Sequence, residues 1–159
     1  MAEEDYVKML RESLENKVCI LEQIQEKNQK QTFILKNPVA TPDELDNNLE
    51  QKSQLIDQLV QLDNGFEQLY SRVSEMLDKN KAYYKNEIVL MKELIVKITD
   101  FSAAIQKQEQ MNKILAVDKF SNVRDQVQKV RKSQKAVNSY YKNMMKVNYV
   151  DPQFMDSKK

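Results

Sequence analysis

The sequence predicts an all-α fold: an elongated antiparallel coiled-coil bundle of three long helices, with a longer third helix and a flexible C-terminal tail. The 159 residues include one glycine and three prolines, where average usage of about 7% and 5% would give roughly eleven and eight. Apolar residues also recur at steps of three and four along most of the chain, which is the period of an amphipathic helix. We therefore expect a single bundle over residues 1–146 and a tail over residues 147–159.

The first helix is predicted over about residues 5–36. Its apolar stripe is narrow and flanked by polar residues, so the helix needs partner helices to be stable. The stripe consists of Val7, Leu10, Leu14, Val18, Leu21, Ile24, Ile34 and Leu35. Asn37-Pro38 ends the helix, because a residue before proline disfavours the helical conformation.

The second helix, predicted over residues 42–78, opens with the best-defined local motif in the chain, Thr41-Pro42-Asp43-Glu44. Thr41 can cap the free N–H groups, Pro42 suits the first helical position, and Glu44 completes a capping box. Gly65 follows an asparagine, as in a hairpin turn, but the apolar period continues through it. We place Gly65 inside the helix, at a slight kink or a close helix approach.

A polar stretch from Asp78 to Lys81 predicts a turn before the third helix, which we expect over residues 82–146. No glycine or proline interrupts this region, so the helix either continues or bends near residues 116–121. At about 90 Å it would extend well beyond the first two helices. Residues after about 118 would then lack partners unless the chain dimerises.

The composition excludes most catalytic and cofactor sites. The chain has no histidine, and its single glycine cannot build a phosphate-binding loop. Its one cysteine, Cys19, is expected in the core or at its boundary, and a nucleophilic role would need a base that the chain lacks. We expect a protein that is not an enzyme and has no cofactor, metal or small-molecule site.

Charge is unevenly distributed along the chain. Residues 1–78 carry 16 acidic and 8 basic side chains, and residues 79–159 carry 8 acidic and 17 basic. The basic half can pack on the acidic half, or it can offer a surface to nucleic acid, although a net charge of +1 argues against strong nucleic-acid binding. No apolar run approaches the roughly 20 residues that span a bilayer, and we expect a cytoplasmic protein without a transmembrane segment.

The C-terminal region is the candidate partner-binding site, because methionine and aromatic residues are concentrated there between lysines. Adaptable methionine and tyrosine contacts are typical of surfaces that receive another chain. The candidate residues are Val123, Val127, Val130, Val137, Tyr140, Tyr141, Met144 and Met145. The alternative interpretation is that this region folds back onto the bundle as ordinary packing.

Several segments resemble the FlgN-like flagellar export chaperones, particularly clostridial members. They are a lysine-rich first helix, EQKSQLIDQL at residues 50–59, DNGF at 63–66, AIQKQEQ at 104–110, YYKNM at 140–144 and DPQFMD at 151–156. The resemblance implies a cytosolic helical protein that binds C-terminal segments of hook-associated proteins, prevents premature assembly and delivers them to the export gate. It also implies that cargo contacts the C-terminal amphipathic helix, here residues 123–145.

Two other functions remain open from the residues alone. One is a structural or tethering coiled coil that forms a homodimer through residues 118–145 and has no cargo. The other is a basic helix that binds nucleic acid without sequence specificity.

Overall fold

The computed structural model describes residues 2–121 and 123–147, with side chains through residue 143. This part of the chain forms four helices and no strand: α1 (Glu3–Lys36), α2 (Pro42–Lys79), α3 (Lys85–Lys119) and α4 (Arg124–Val147). The predicted all-α class is confirmed. The predicted count of three helices is wrong, because the region expected to form one long third helix forms two. The expected flexible tail, from residue 148 onward, lies outside the described residues.

The connection between α1 and α2 follows the local sequence signals. The Thr41 N–H donates to Glu44 Oε2 at 2.7 Å, and the Glu44 N–H donates to Thr41 Oγ1 at 3.4 Å. These reciprocal bonds form the predicted capping box. Gly65 lies inside α2, as expected. Of the two alternatives for it, the close helix approach is wrong, since no atom of another described helix lies within 4 Å of where its Cβ would be.

The α2–α3 turn also lies near its predicted place, over residues 80–84. The Tyr84 side chain is buried and meets the Tyr83 ring edge-on, with the two ring centroids 4.8 Å apart. The exposed Tyr83 hydroxyl donates to Glu4 Oε2 at 2.9 Å. This pair of tyrosines closes the end of the bundle where α1 begins.

The chain reverses between α3 and α4 without a glycine or a proline. The buried Phe120 side chain packs into the apolar cluster beside the α1–α2 connection, and Lys119 Nζ donates to the Asn37 carbonyl oxygen. The Val123 N–H donates to the Phe120 carbonyl oxygen at 2.7 Å. These contacts end α3 at the level where α1 ends, so the expected extension beyond the bundle is wrong.

The four helices run alternately up and down. α1 packs along both α2 and α3, and α4 packs against the same two helices, so α1 and α4 occupy opposite corners. The directions of the helices follow from hydrogen bonds and ion pairs between them, namely Lys17–Asp63, Thr32–Asn112, Arg11–Glu87, Lys129–Asp46 and Gln134–Gln110. α3 is consequently parallel to its neighbour α1, and α4 is parallel to its neighbour α2.

The interior consists of two apolar clusters separated by a polar layer. The larger cluster contains residues such as Leu10, Leu59 and Met91, and the smaller one contains Leu45 and Phe120 among others. Six buried polar residues lie between the two clusters: Asn28, Gln31, Asn48, Lys52, Glu109 and Asn112. The bundle therefore carries hydrogen-bonded and ionic groups at positions where the helix period predicts leucine or isoleucine.

Five ion pairs join the two halves in the described structure, and two of them, Lys79–Glu75 and Lys81–Asp78, are local contacts at the boundary. Of the three between distant residues, only one has the expected polarity of a basic half on an acidic half. Lys129 of α4 meets Asp46 of α2, with 3.1 Å between Nζ and Oδ2. Arg11–Glu87 and Lys52–Glu109 have the opposite polarity. Within the described residues, no helix combines the length and the apolar character required to cross a bilayer.

Candidate partner-binding helix

α4 contains most of the residues predicted to bind a partner, and the structure places four of them inside the bundle. Val130, Val137, Tyr140 and Tyr141 are 2–6% exposed. Val127 is half-buried against the smaller apolar cluster. The fold-back that the sequence left open is therefore the arrangement of the described structure.

The other predicted residues differ in position. Val123 precedes α4 and is 44% exposed. Met144 and Met145 belong to α4, and their side chains lie outside the described part of the structure. A partner that contacts the buried four can do so only after α4 has left α2 and α3.

Tyr140 attaches α4 to the rest of the bundle through a charged network. Its hydroxyl donates to Asp63 Oδ2 at 2.6 Å, and Lys17 Nζ donates to Asp63 Oδ1 at 2.9 Å. Lys17 Nζ also lies 5.8 Å from the centroid of the Tyr140 ring, within the range of a cation–π contact. One carboxylate thus links α1, α2 and α4.

Burial of the two α4 tyrosines changes their acidity. Burial, followed by the negative charge of Asp63, raises the pKa of Tyr140 far above its usual value. Burial is also the main cause of the raised pKa of Tyr141. Both hydroxyls therefore remain protonated, and Tyr140 remains a hydrogen-bond donor, through the physiological pH range.

The buried face of α4 has polar positions that weaken its packing. Gln126 and Gln134 are 6% and 9% exposed. Gln134 Nε2 donates to Gln110 Oε1 of α3 at 3.0 Å, but Gln126 Oε1 is buried without a hydrogen-bond partner among the described residues. An unsatisfied buried oxygen costs about 1–3 kcal/mol, so this end of α4 is held less firmly than a fully apolar helix face would be.

α4 also covers a buried ion pair that joins α2 to α3. Lys52 Nζ contacts Glu109 Oε2, and the two side chains are 0% and 3% exposed. Lys52 Nζ donates in addition to Gln31 Oε1 of α1 at 3.0 Å. Burial lowers the pKa of Lys52, and the Glu109 carboxylate opposes that effect. Gln110, next to Glu109, accepts a hydrogen bond from α4, and Ser53, next to Lys52, lines a groove together with α4. α4 therefore closes this layer on the side opposite α1.

The outward face of α4 is basic. Six of its cationic side chains are exposed: Arg124, Lys129, Arg131, Lys132, Lys135 and Lys142. Lys129 differs, because it pairs with Asp46 of α2. The described residues contain no group of three or more His, Cys, Asp or Glu side chains placed to hold a metal ion.

Sequence reasoning missed the polar residues that hold α4 and the layer beneath it, namely Lys17, Lys52, Asp63 and Glu109. A signal for three of them exists in the apolar period. Lys17 falls in phase between Leu14 and Leu21, Lys52 lies between Leu49 and Leu55, and Glu109 follows Ile105 by four residues. A charged residue at a core position of a helix indicates a buried partner on another helix.

Comparison of the chain with protein-family models, with curated proteins and with solved structures gives no match.

Proposed function

We propose that this chain is a cytoplasmic export chaperone of the FlgN type, which uses α4 to bind C-terminal helical segments of flagellar hook-associated proteins. In this role it prevents premature assembly of the cargo and delivers it to the export gate. The sequence resemblance described above is one support. The observation that carries the proposal is that α4 is amphipathic and that its docked face includes two buried glutamines, one of which has a side-chain oxygen without a hydrogen-bond partner among the described residues.

Undocking of α4 makes the cargo-binding face available. The cargo helix contacts Val127, Val130, Val137 and Tyr140 in place of the surfaces of α2 and α3, and exposed α4 lysines contact acidic groups beside the apolar face. The Lys52–Glu109 pair becomes hydrated on that side when α4 leaves. Hydration lowers the desolvation penalty of a buried ion pair, and this offsets part of the free energy needed to expose the apolar face of α4.

A disulfide lock tests whether α4 must leave the bundle. Ser53 of α2 and Ala136 of α4 line the same inter-helix groove, of about 480 Å³. Ser53→Cys with Ala136→Cys, in a Cys19→Ser background, is expected to hold α4 in place when oxidised, with bridge formation verified by mass spectrometry. Titration calorimetry with C-terminal segments of hook-associated proteins should detect binding to the reduced protein and none to the oxidised protein.

The outcomes separate the function from the mechanism. If the oxidised protein binds cargo as tightly as the reduced one, the buried face of α4 is not the contact surface. If the Cys19→Ser protein without the two added cysteines binds none of the hook-associated segments, the chaperone proposal fails. A segment of identical composition in scrambled order is the control for nonspecific helix binding.

The basic outer face of α4 keeps nucleic-acid binding as a second candidate. Electrostatic binding to phosphates weakens steeply as salt increases. Fluorescence titration with single-stranded and duplex oligonucleotides at two salt concentrations tests it. Replacing Arg131 and Lys135 by glutamine should weaken any such binding and reduce its salt dependence, whereas cargo binding through the apolar face should persist.

A further inference from the structure

α3 carries a second apolar stripe on the side that faces solvent. Val89, Val96, Met111 and Ile114 are 47–59% exposed, and the exposed Ala103 lies between them on the same face. This face is opposite the buried residues, such as Ile98 and Ile105. Five of the exposed large hydrophobic residues of the described chain belong to α3, against two in α1 and one in α2, so the exposure is concentrated on one helix.

Two of the charges on this face, Asp100 and Lys107, are arranged about its centre, whereas the exposed Glu93 and Asp118 lie toward its two ends. Asp100 precedes Ala103 by three residues, and Lys107 follows Ala104 by three residues. Both side chains are exposed, and neither forms an ion pair with any described residue. A negative and a positive charge thus lie at equal distances from the Ala103–Ala104 midpoint, on the same face of the helix.

We propose that two copies of this chain associate through the outer faces of α3, with the helices antiparallel and the twofold axis at Ala103 and Ala104. In this register Asp100 lies opposite Lys107 of the second copy, and the twofold axis makes that pairing twice. Val96 likewise lies opposite Met111 of the second copy. The two alanines allow the helices to approach closely where they cross.

The charge pattern selects the antiparallel arrangement over the parallel one. Parallel helices in register would place Asp100 against Asp100 and Lys107 against Lys107, and facing like charges are unfavourable. The antiparallel interface uses none of the α4 residues, so it neither requires nor prevents undocking of α4. It also differs from a dimer formed through residues 118–145, several of which are buried within one copy.

Charge reversal tests the pairing directly. Sedimentation equilibrium of the full chain should show a monomer–dimer equilibrium. Asp100→Lys and Lys107→Asp should each weaken dimerisation about tenfold or more, because each replaces two attractions with two repulsions. The double variant should restore the dimer, and an equimolar mixture of the two single variants should form a heterodimer.

A cysteine at the proposed axis provides an independent test. In a Cys19→Ser background, Ala103→Cys should form a disulfide-linked dimer under mild oxidation. Ser71→Cys, exposed on α2, is the control and should remain monomeric. A chain that stays monomeric at all concentrations overturns the proposal, as does a dimer that both charge reversals leave unchanged. Circular dichroism of each variant checks that the helices are retained.

Discussion

At the scale of single residues, charged side chains in core positions determine how the helices are joined. Lys17 occupies a core position of α1 and is 4% exposed, yet its ammonium group reaches Asp63 of α2. The same carboxylate accepts a hydrogen bond from the Tyr140 hydroxyl of α4. Hydrogen bonds to charged groups contribute more than neutral ones, about 1.5–3 kcal/mol, so the Tyr140 hydroxyl is expected to contribute measurably to docking.

Tyr140→Phe removes this hydroxyl and keeps the ring. We expect a decrease of about 1.5–3 kcal/mol in the free energy of unfolding, because the variant cannot form the short bond to the carboxylate. Urea unfolding followed by circular dichroism measures it. Tyr83→Phe is the matched control, since its hydroxyl also donates to a carboxylate but at the exposed surface. Equal decreases in the free energy of unfolding of the two variants would show that burial does not increase the contribution of the Tyr140 hydrogen bond to stability.

The raised tyrosine pKa values predict a loss of stability at alkaline pH. Unfolded tyrosines ionise near pH 10, whereas burial keeps Tyr140 and Tyr141 protonated in the folded chain. The unfolded state then binds fewer protons, so the stabilisation is complete below pH 10 and decreases above it. Each tyrosine contributes a decrease of up to about 1.4 kcal/mol per pH unit. Urea unfolding at pH 9, 10 and 11 should show that the free energy of unfolding decreases less with pH in the double variant Tyr140→Phe, Tyr141→Phe than in the unmodified protein. Identical pH slopes for the two proteins would contradict the assignment to these tyrosines.

At the scale of helices, α1 and α4 differ in how they are held. α1 buries seven large apolar side chains between Val7 and Leu35, together with the polar Lys17, Asn28 and Gln31. α4 is shorter and alternates its buried valines with Gln126 and Gln134. A smaller buried apolar surface lowers the free energy needed to open an element locally. α4 is therefore the helix expected to detach while the packing of α1 on α2 and α3 persists.

Hydrogen exchange tests this difference between helices. Backbone amides of α4 over residues 128–143 should exchange faster than those of α1 over residues 10–24, because α4 opens without unfolding of the whole bundle. Exchange followed by mass spectrometry after proteolysis resolves the two segments. The oxidised Ser53→Cys, Ala136→Cys protein is the control and should slow exchange in α4 selectively. Equal protection of the two helices in the unmodified protein would show that α4 does not open separately.

Local sequence signals predict the starts and ends of helices only where a residue restricts the backbone. Thr41 and Pro42 determine the start of α2, and the predicted capping box is present. The reversal after Lys119 has no such residue. It depends on Phe120, which the predicted apolar stripe passes over between Leu115 and Val123, and which fits a cluster formed by α1 and α2. A contact between distant parts of the chain thus overrides the local period.

At the scale of the whole molecule, the helix period predicts which residues are buried, but it does not predict which helix covers them. Val130 and Val137 lie on the apolar face of α4 whether that face meets α2 and α3 or another protein. Which of these surfaces covers the apolar face of α4 depends on the reversal at Phe120 and on the Asp63 network, and both depend on contacts between distant residues. Cys19, expected in the core or at its boundary, is exposed, because it lies two residues from both Lys17 and Leu21 and therefore on the opposite face of α1.

The buried polar layer is a whole-molecule feature, since Lys52 of α2 meets Glu109 of α3 and Gln31 of α1 across the interior. Lys52→Met should destabilise the fold by about 3–5 kcal/mol, because it leaves the Glu109 carboxylate buried without its cation. Adding Glu109→Leu should recover most of that stability, since an apolar pair of similar volume needs no desolvation of charge.

Urea unfolding of both single variants and the double variant gives the coupling between the two residues. Lys79→Met is the matched control, because its pair with Glu75 is 69% and 80% exposed and is expected to contribute at most about 1 kcal/mol. If the double variant is as unstable as Lys52→Met alone, the instability comes from altered packing rather than from an unpaired charge. Recovery would establish that the ion pair is not needed for the stability of the bundle, because an apolar pair of similar volume replaces it.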